Sequence, residues 1–230
     1  MTLRRRARDV SAALVHRAWY GVRWAGAIGP QDRLGRRFAS FGEASILAFP
    51  TGDVFGEEHI AIGPGTLVAP HVSLSVGMAP GQPLPVGATS PVLRIGARCS
   101  IGRGSHLVAH RSLVVGDDVM TGPNCYLTDQ NHVYADPDTP VGRQWPSEDP
   151  VEVGSGSWLG AGCVLLPGTR LGRNTVVGAG AVVRGEFPDH AVLAGVPARL
   201  VRRWTPAEGW QPARRDVHID PPDGWPAPTR

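Results

Sequence analysis

The sequence contains no lysine, since all 23 of its basic residues are arginine. This excludes every mechanism that needs a lysine amine, from Schiff-base chemistry to a Walker-type phosphate loop. Cysteine is nearly as scarce, with three in 230 residues, an odd number and no Cys-x-x-Cys pair. That argues against a disulfide framework or a zinc knuckle and predicts a reducing, cytoplasmic setting. No uninterrupted apolar run reaches 18 residues, so no transmembrane helix is expected. The Arg-rich start also lacks the apolar stretch and small-residue cleavage site of a signal peptide.

Glycine and proline, by contrast, fill 52 of the 230 positions, which argues against a mostly helical protein. The 42% of hydrophobic residues is enough for a sizeable core, and the length suits one main domain. The net charge of +3 hides a split: residues 1–40 carry nine Arg against two acids, and residues 41–200 carry nine Arg against fourteen. The body is therefore acidic and the basic character belongs to an N-terminal arm, so no nucleic-acid surface is expected.

A repeat dominates the middle of the chain. From Ile95, aliphatic residues fall every sixth position, usually followed by Gly: Ile95-Gly96, Ile101-Gly102, Leu107-Val108. The period resumes at Val115-Gly116, Thr121-Gly122 and Leu127-Thr128. It returns at Val153-Gly154, Leu159-Gly160, Leu165-Leu166, Leu171-Gly172, Val177-Gly178 and Val183-Arg184. Position one is aliphatic in eleven of these twelve hexads, and position two is Gly in eight, far above composition. The four hexads without that Gly are each third in a triplet, so a period of 18 overlies the period of six. Three sides of six residues make one coil, and the chain is predicted to wind as a triangular prism with aliphatic residues stacked inside and Gly assisting each corner.

Fainter hexads at Phe41, Leu47, Ile62, Val68 and Leu74 bring the total to five or six coils over 41–188. Insertions at 77–91 and 133–150 interrupt the winding and are expected to project from corners, where long loops carry function. Residues 1–28 carry a stripe (Leu3, Ala7, Val10, Leu14, Ala18, Val22, Ala25, Ile28) at spacings of three and four, which predicts an amphipathic helix. It is expected to cap the first coil; the alternative is a helix lying on a membrane surface, given Arg4, Arg5, Arg6, Arg8, Trp19 and Trp24. The domain reading is a helical arm at 1–40, a repeat domain at 41–204 and a Pro-rich tail at 205–230.

The hexads, the block from Trp158 to Gly168 (WLGAGCVLLPG) and the closing Ala194-Gly195-Val196-Pro197-Ala198-Arg199 resemble the hexapeptide-repeat acyltransferases, nearest the maltose, galactoside and xenobiotic O-acetyltransferase type. The resemblance covers about 41–204 and implies a left-handed parallel β-helix, an exception to the usual crossover hand. It also implies a homotrimer with acetyl-CoA held between adjacent prisms.

Within that resemblance, His132 matches the general base, because an alcohol attacks a thioester only as its proton is removed and a neutral imidazole suits that task. Asn124 matches an active-site Asn or, alternatively, is a corner residue tolerant of left-handed backbone. Asp129 would orient the imidazole or bind acceptor, or simply form a turn. Trp158 matches a residue lining the pantetheine channel, where Gly160, Ala161 and Ala179 keep the wall low. Arg184 and Arg199 are candidates for the nucleotide phosphates, or solvated surface arginines.

Cys99, Cys125 and Cys163 all fall at position five, a small inward slot, and are read as structural. Two rival functions remain. A gamma-class carbonic-anhydrase-like zinc site would draw on His71, His106, His110 or His132, but no paired spacing of that family is present and no metal is expected. A non-catalytic trimeric scaffold would be motivated by the basic arm and Pro-rich tail. The acceptor, taken as a sugar-like or other small molecule, is not encoded in any readable motif.

Overall fold

A computed structural model of the protein describes residues 3–211 apart from 83, 85, 86 and 89. After a helix, α1 (Leu3–Gly26), the chain winds into a parallel β-helix with three sheets as its sides. The first side runs through Ser40–Phe41, Ile60–Ile62, Leu93–Ile95, Leu113–Val115, Val151–Val153, Arg170–Leu171 and Glu186–Phe187. The second stacks Ile46–Leu47, Leu67–Val68, Ser100–Ile101, Met120–Thr121, Trp158–Leu159, Val176–Val177 and Ala191–Gly195. The third stacks Val54–Phe55, Ser73–Val76, His106–Ala109, Tyr126–Thr128, Val164–Leu165 and Val182–Val183. Six coils are complete and a seventh has two sides, so the winding extends to Gly195, past the expected end at 188.

Each side sends one large aliphatic residue inward, so Ile95, Ile101 and Leu107 lie beneath Val115, Thr121 and Leu127, and all six are buried. Position five supplies the second inward residue, and its small polar members have a clear task. Ser105 Oγ accepts from Cys125 N at 3.1 Å and Ser157 Oγ from Thr175 N at 3.1 Å, so backbone donors at the corners find partners without water. The cysteines fill the same slot. Cys163 donates to Cys125 Sγ at 3.6 Å, and this bond together with burial pushes its thiol well above the usual range, so it stays protonated and inert.

Glycine does a different job from the expected one. None of the eight position-two glycines has a positive φ; the left-handed residues stand at position four, as Arg98, Gly104, Asp118, Asn124, Gly156, Gly162, Asn174 and Gly180. At position two the coils pass too close for a side chain: a Cβ on Gly122 would lie 2.6 Å from Ala161 N, and one on Gly160 2.5 Å from Ala179 N. Gly122→Val should therefore force two coils apart and cost at least the ~1–3 kcal/mol of core overpacking. Gly162→Ala, whose Cβ would meet nothing within 4 Å but whose φ is +67°, should cost only the left-handed penalty of ~1–2 kcal/mol, and thermal melts of both variants compare the two effects.

Helix α1 itself does not cap the first coil; the part of the arm that follows it does. Ile28 and Phe38 close the end of the core, with Ile28 bridging Leu47 through N–O bonds of 2.9 and 2.8 Å and Gly35 buried behind them. Helix α1 instead runs beside the corner between the second and third sides, where Trp19 and Arg23 meet Pro50, Pro70, His71 and Arg103. At the far end the antiparallel strands Ala198–Thr205 and Gly209–Gln211 extend the second side, so part of the expected tail is folded. The remainder, 212–230, lies outside the described residues.

The first insertion does not simply project: Leu84 and Ala88 rest against the core. The second is closed at its neck by an antiparallel pair, Gln130–Asn131 with Ser147–Glu148.

Candidate active site

The three outer faces differ in chemistry. The first carries a charge ladder, with Arg170 bridging Glu152 at 3.0 Å and Glu186 at 3.4 Å. The second turns out an apolar column of Ile46, Leu67, Met120 and Trp158, each at least 39% exposed in the single chain. On the third, His106 and Tyr126 lie side by side with ring centres 6.4 Å apart and planes tilted by 46°, with Val164 and Val182 beyond them.

Trp158 therefore faces outward, as its position six predicts, at 49% exposure. Beside it the corner between the second and third sides has almost no side chains. Gly160, Ala161 and Gly162 stack on Gly178, Ala179 and Gly180, and Ala161 and Ala179 are exposed. Backbone along this corner is open to a ligand that can use amide groups.

His132 belongs to the opposite edge of the third side, the corner where the second insertion leaves and returns. It is exposed and sits one residue past the paired neck. The neck is fastened from the coil beneath. Asp129 is fully buried, and its carboxylate accepts from the backbone N–H groups of His110 (2.8 Å), Arg111 (2.7 Å) and Ser112 (2.6 Å). Its own carbonyl accepts from Asp149 N at 2.8 Å. Both carboxylate oxygens are thus committed to the turn at 110–112, and Asp129 anchors the loop rather than orienting an imidazole. Glu148 lies close by, its carboxylate 3.5 Å from Nδ1 of the buried His110 with no hydrogen bond joining them. Neither His110 nor Glu148 carried a signal for this, because a whole coil and most of the second insertion separate them in sequence.

The other candidates fall in separate places. Asn124 is exposed at φ +58°, one of the left-handed position-four residues, so corner geometry accounts for it. Arg184 lines a cleft of about 270 Å³ with Asn131, Ser147, Glu148, Asp149, Leu166 and Pro167, beside the neck and away from the Ala161–Ala179 corner. Arg199 is exposed on the closing hairpin, its Nη1 donating to Ala198 O at 3.0 Å. Of the four histidines weighed for zinc, His71 is at a corner, His106 on the third face, His110 buried and His132 at the loop. Among the described residues no three metal-binding side chains come together.

Comparison with known proteins agrees with this architecture. Residues 150–185 match the model for the bacterial transferase hexapeptide, six repeats. The chain is 34% identical over 110 residues to a probable acetyltransferase of Mycobacterium tuberculosis, covering 48% of this chain and 37% of that protein. It is 33% identical over 106 residues to a putative lipopolysaccharide biosynthesis O-acetyl transferase of Escherichia coli, covering 43% and 54%. The matched stretch thus spans about half or less of each relative. Among solved structures, the N-acyltransferase AntD of Bacillus cereus, crystallised with dTDP and 3-hydroxybutyryl-CoA, superposes with a TM-score of 0.63 at 16% identity, covering 76% of this chain and 88% of that one. That likeness gives the fold, a left-handed parallel β-helix. Coil geometry, repeat and relatives together make the chain similar to the bacterial transferase hexapeptide proteins and to named acetyltransferases.

Proposed function

We propose that the protein transfers an acyl group, in the first instance acetyl, from acyl-CoA to a hydroxyl of a sugar-like acceptor, with His132 as general base. The observation that carries this reading is the pairing of an exposed His132 on a fastened loop neck with an exposed Trp158 beside a corner of bare backbone. In the reaction, the His132 imidazole takes the acceptor proton as its oxygen attacks the thioester carbonyl. The carbon–sulfur bond then breaks, and the proton passes to the departing thiolate. Backbone N–H groups at the corner can stabilise the oxyanion formed on attack. The relative named as a putative lipopolysaccharide biosynthesis O-acetyl transferase supports a hydroxyl acceptor.

The two halves of this site lie on opposite edges of the third side within one chain, so the reading requires a neighbour to bring them together. A homotrimer supplies one. The apolar second face and aromatic third face suit contact between prisms, while the first face, with its ion-pair ladder, suits water. Asp129 and Arg184 then act at the loop neck, and Ala161, Ala179 and Trp158 wall the pantetheine. Arg199 stays outside this core.

Acetyl-CoA should raise the thermal midpoint of the full chain, and Trp158→Ala should remove most of that rise, measured against the variant's own midpoint without ligand. A chain whose midpoint does not respond to CoA would instead support the scaffold.

A further inference from the structure

We propose that helix α1 docks the protein on an anionic lipid surface, with its apolar stripe toward the acyl chains and its arginines toward the lipid phosphates. The stripe of Val10, Leu14, Ala18, Val22 and Ala25 turns away from the prism. At about 100° per residue it lies opposite Trp19, Tyr20 and Arg23, the residues that border the prism. Val10 is 61% exposed and Leu14 63%, and between residues 8 and 25 only Arg23 is even half-buried. The helix therefore presents apolar side chains that nothing among the described residues covers.

Charge decides between possible covers. The helix sequence contains six Arg and one Asp, and Arg8 and Arg17 flank the stripe on either side without an ion-pair partner among the described residues. A seam between two copies of this helix would bring these like charges together, which opposes self-association. The acids of another prism offer little, because many already hold an arginine: Asp117 and Asp118 with Arg98, Glu152 and Glu186 with Arg170, and Asp189 with Arg173. An anionic bilayer satisfies both stripe and flanks, and the exposed Trp24 suits its headgroup layer. Among the described residues no helix is long and apolar enough to cross a membrane, so the arrangement is one of lying on the surface.

The test is flotation of the full chain with vesicles of phosphatidylcholine alone or with about 30% phosphatidylglycerol. Recovery should be at least ~10-fold higher with the anionic vesicles and should fall when salt shortens the screening length from ~10 Å at 0.1 M to ~3 Å at 1 M. The double variant Val10→Glu/Leu14→Glu should lose flotation while keeping the thermal midpoint and mass of the parent chain, since neither side chain touches the prism. Arg8→Gln/Arg17→Gln should weaken binding to anionic vesicles only. Equal recovery with both vesicle types would overturn the proposal, as would flotation that survives Val10→Glu/Leu14→Glu. A drop in oligomeric mass in that variant by light scattering would also overturn it, assigning the stripe to a second copy.

Discussion

His132→Ala is expected to lower acyl transfer by about 10²–10⁴-fold, the usual worth of a positioned base, while CoA-dependent thermal stabilisation persists. The expectation follows from where the residue stands. His132 is exposed, lies outside the core and follows the paired neck, so its loss leaves the packing of every coil intact. His132→Gln should be as inactive as the alanine variant, because an amide keeps the polarity but cannot take a proton. Thiol release from acetyl-CoA across a panel of sugar acceptors measures both variants. Turnover within a few-fold of the parent chain would remove His132 from the mechanism and leave the site without a base on that edge of the prism.

The prism itself was legible because its packing repeats. Each turn imposes the same demand at positions one and five, and twelve repetitions of that demand stand out above composition. The meaning of the glycines was less accessible. A glycine needed for close approach and one needed for a left-handed turn look alike as letters, and only the stacked backbone separates Gly122 from Gly162. The arm misled for a related reason: a stripe such as Val10, Leu14 and Ala18 specifies a face to be covered, but not what covers it. The cap came from Ile28, the last member of that stripe, which lies past the end of the helix, and from Phe38, which belongs to no periodic pattern.

The site divides in the same way. Trp158, Ala161 and Ala179 occupy defined positions in the repeat, so their outward placement could be read from the period. The contacts at the loop neck could not, because they rest on single side chains, Asp129 and Glu148, that do not recur from coil to coil. Asp129 shows the consequence. Its place four residues after a buried Cys and three before His132 suggests chemistry, whereas its partners are three backbone N–H groups in the coil beneath.

Those partners make Asp129→Ala the most destabilising single change expected in the loop. The substitution leaves three N–H groups at 110–112 without their acceptor, where hydrogen bonds to a buried charge are each worth roughly 1.5–3 kcal/mol. Part of that is offset because the desolvated carboxylate also disappears, so a net loss of about 3–5 kcal/mol is expected. For a chain of this size the midpoint should fall by roughly 10 °C. Asp129→Asn should recover only a fraction, since its amide nitrogen would face a backbone donor where an oxygen accepts in the parent. Activity should fall with stability, because the neck that sets the position of His132 loses its anchor; at temperatures where the variant remains folded, kcat should drop with KM for CoA unchanged. The contrast with His132→Ala separates anchor from base: one variant melts early and the other does not. An Asp129→Ala protein with an unchanged midpoint and reduced kcat would return the carboxylate to the chemistry itself.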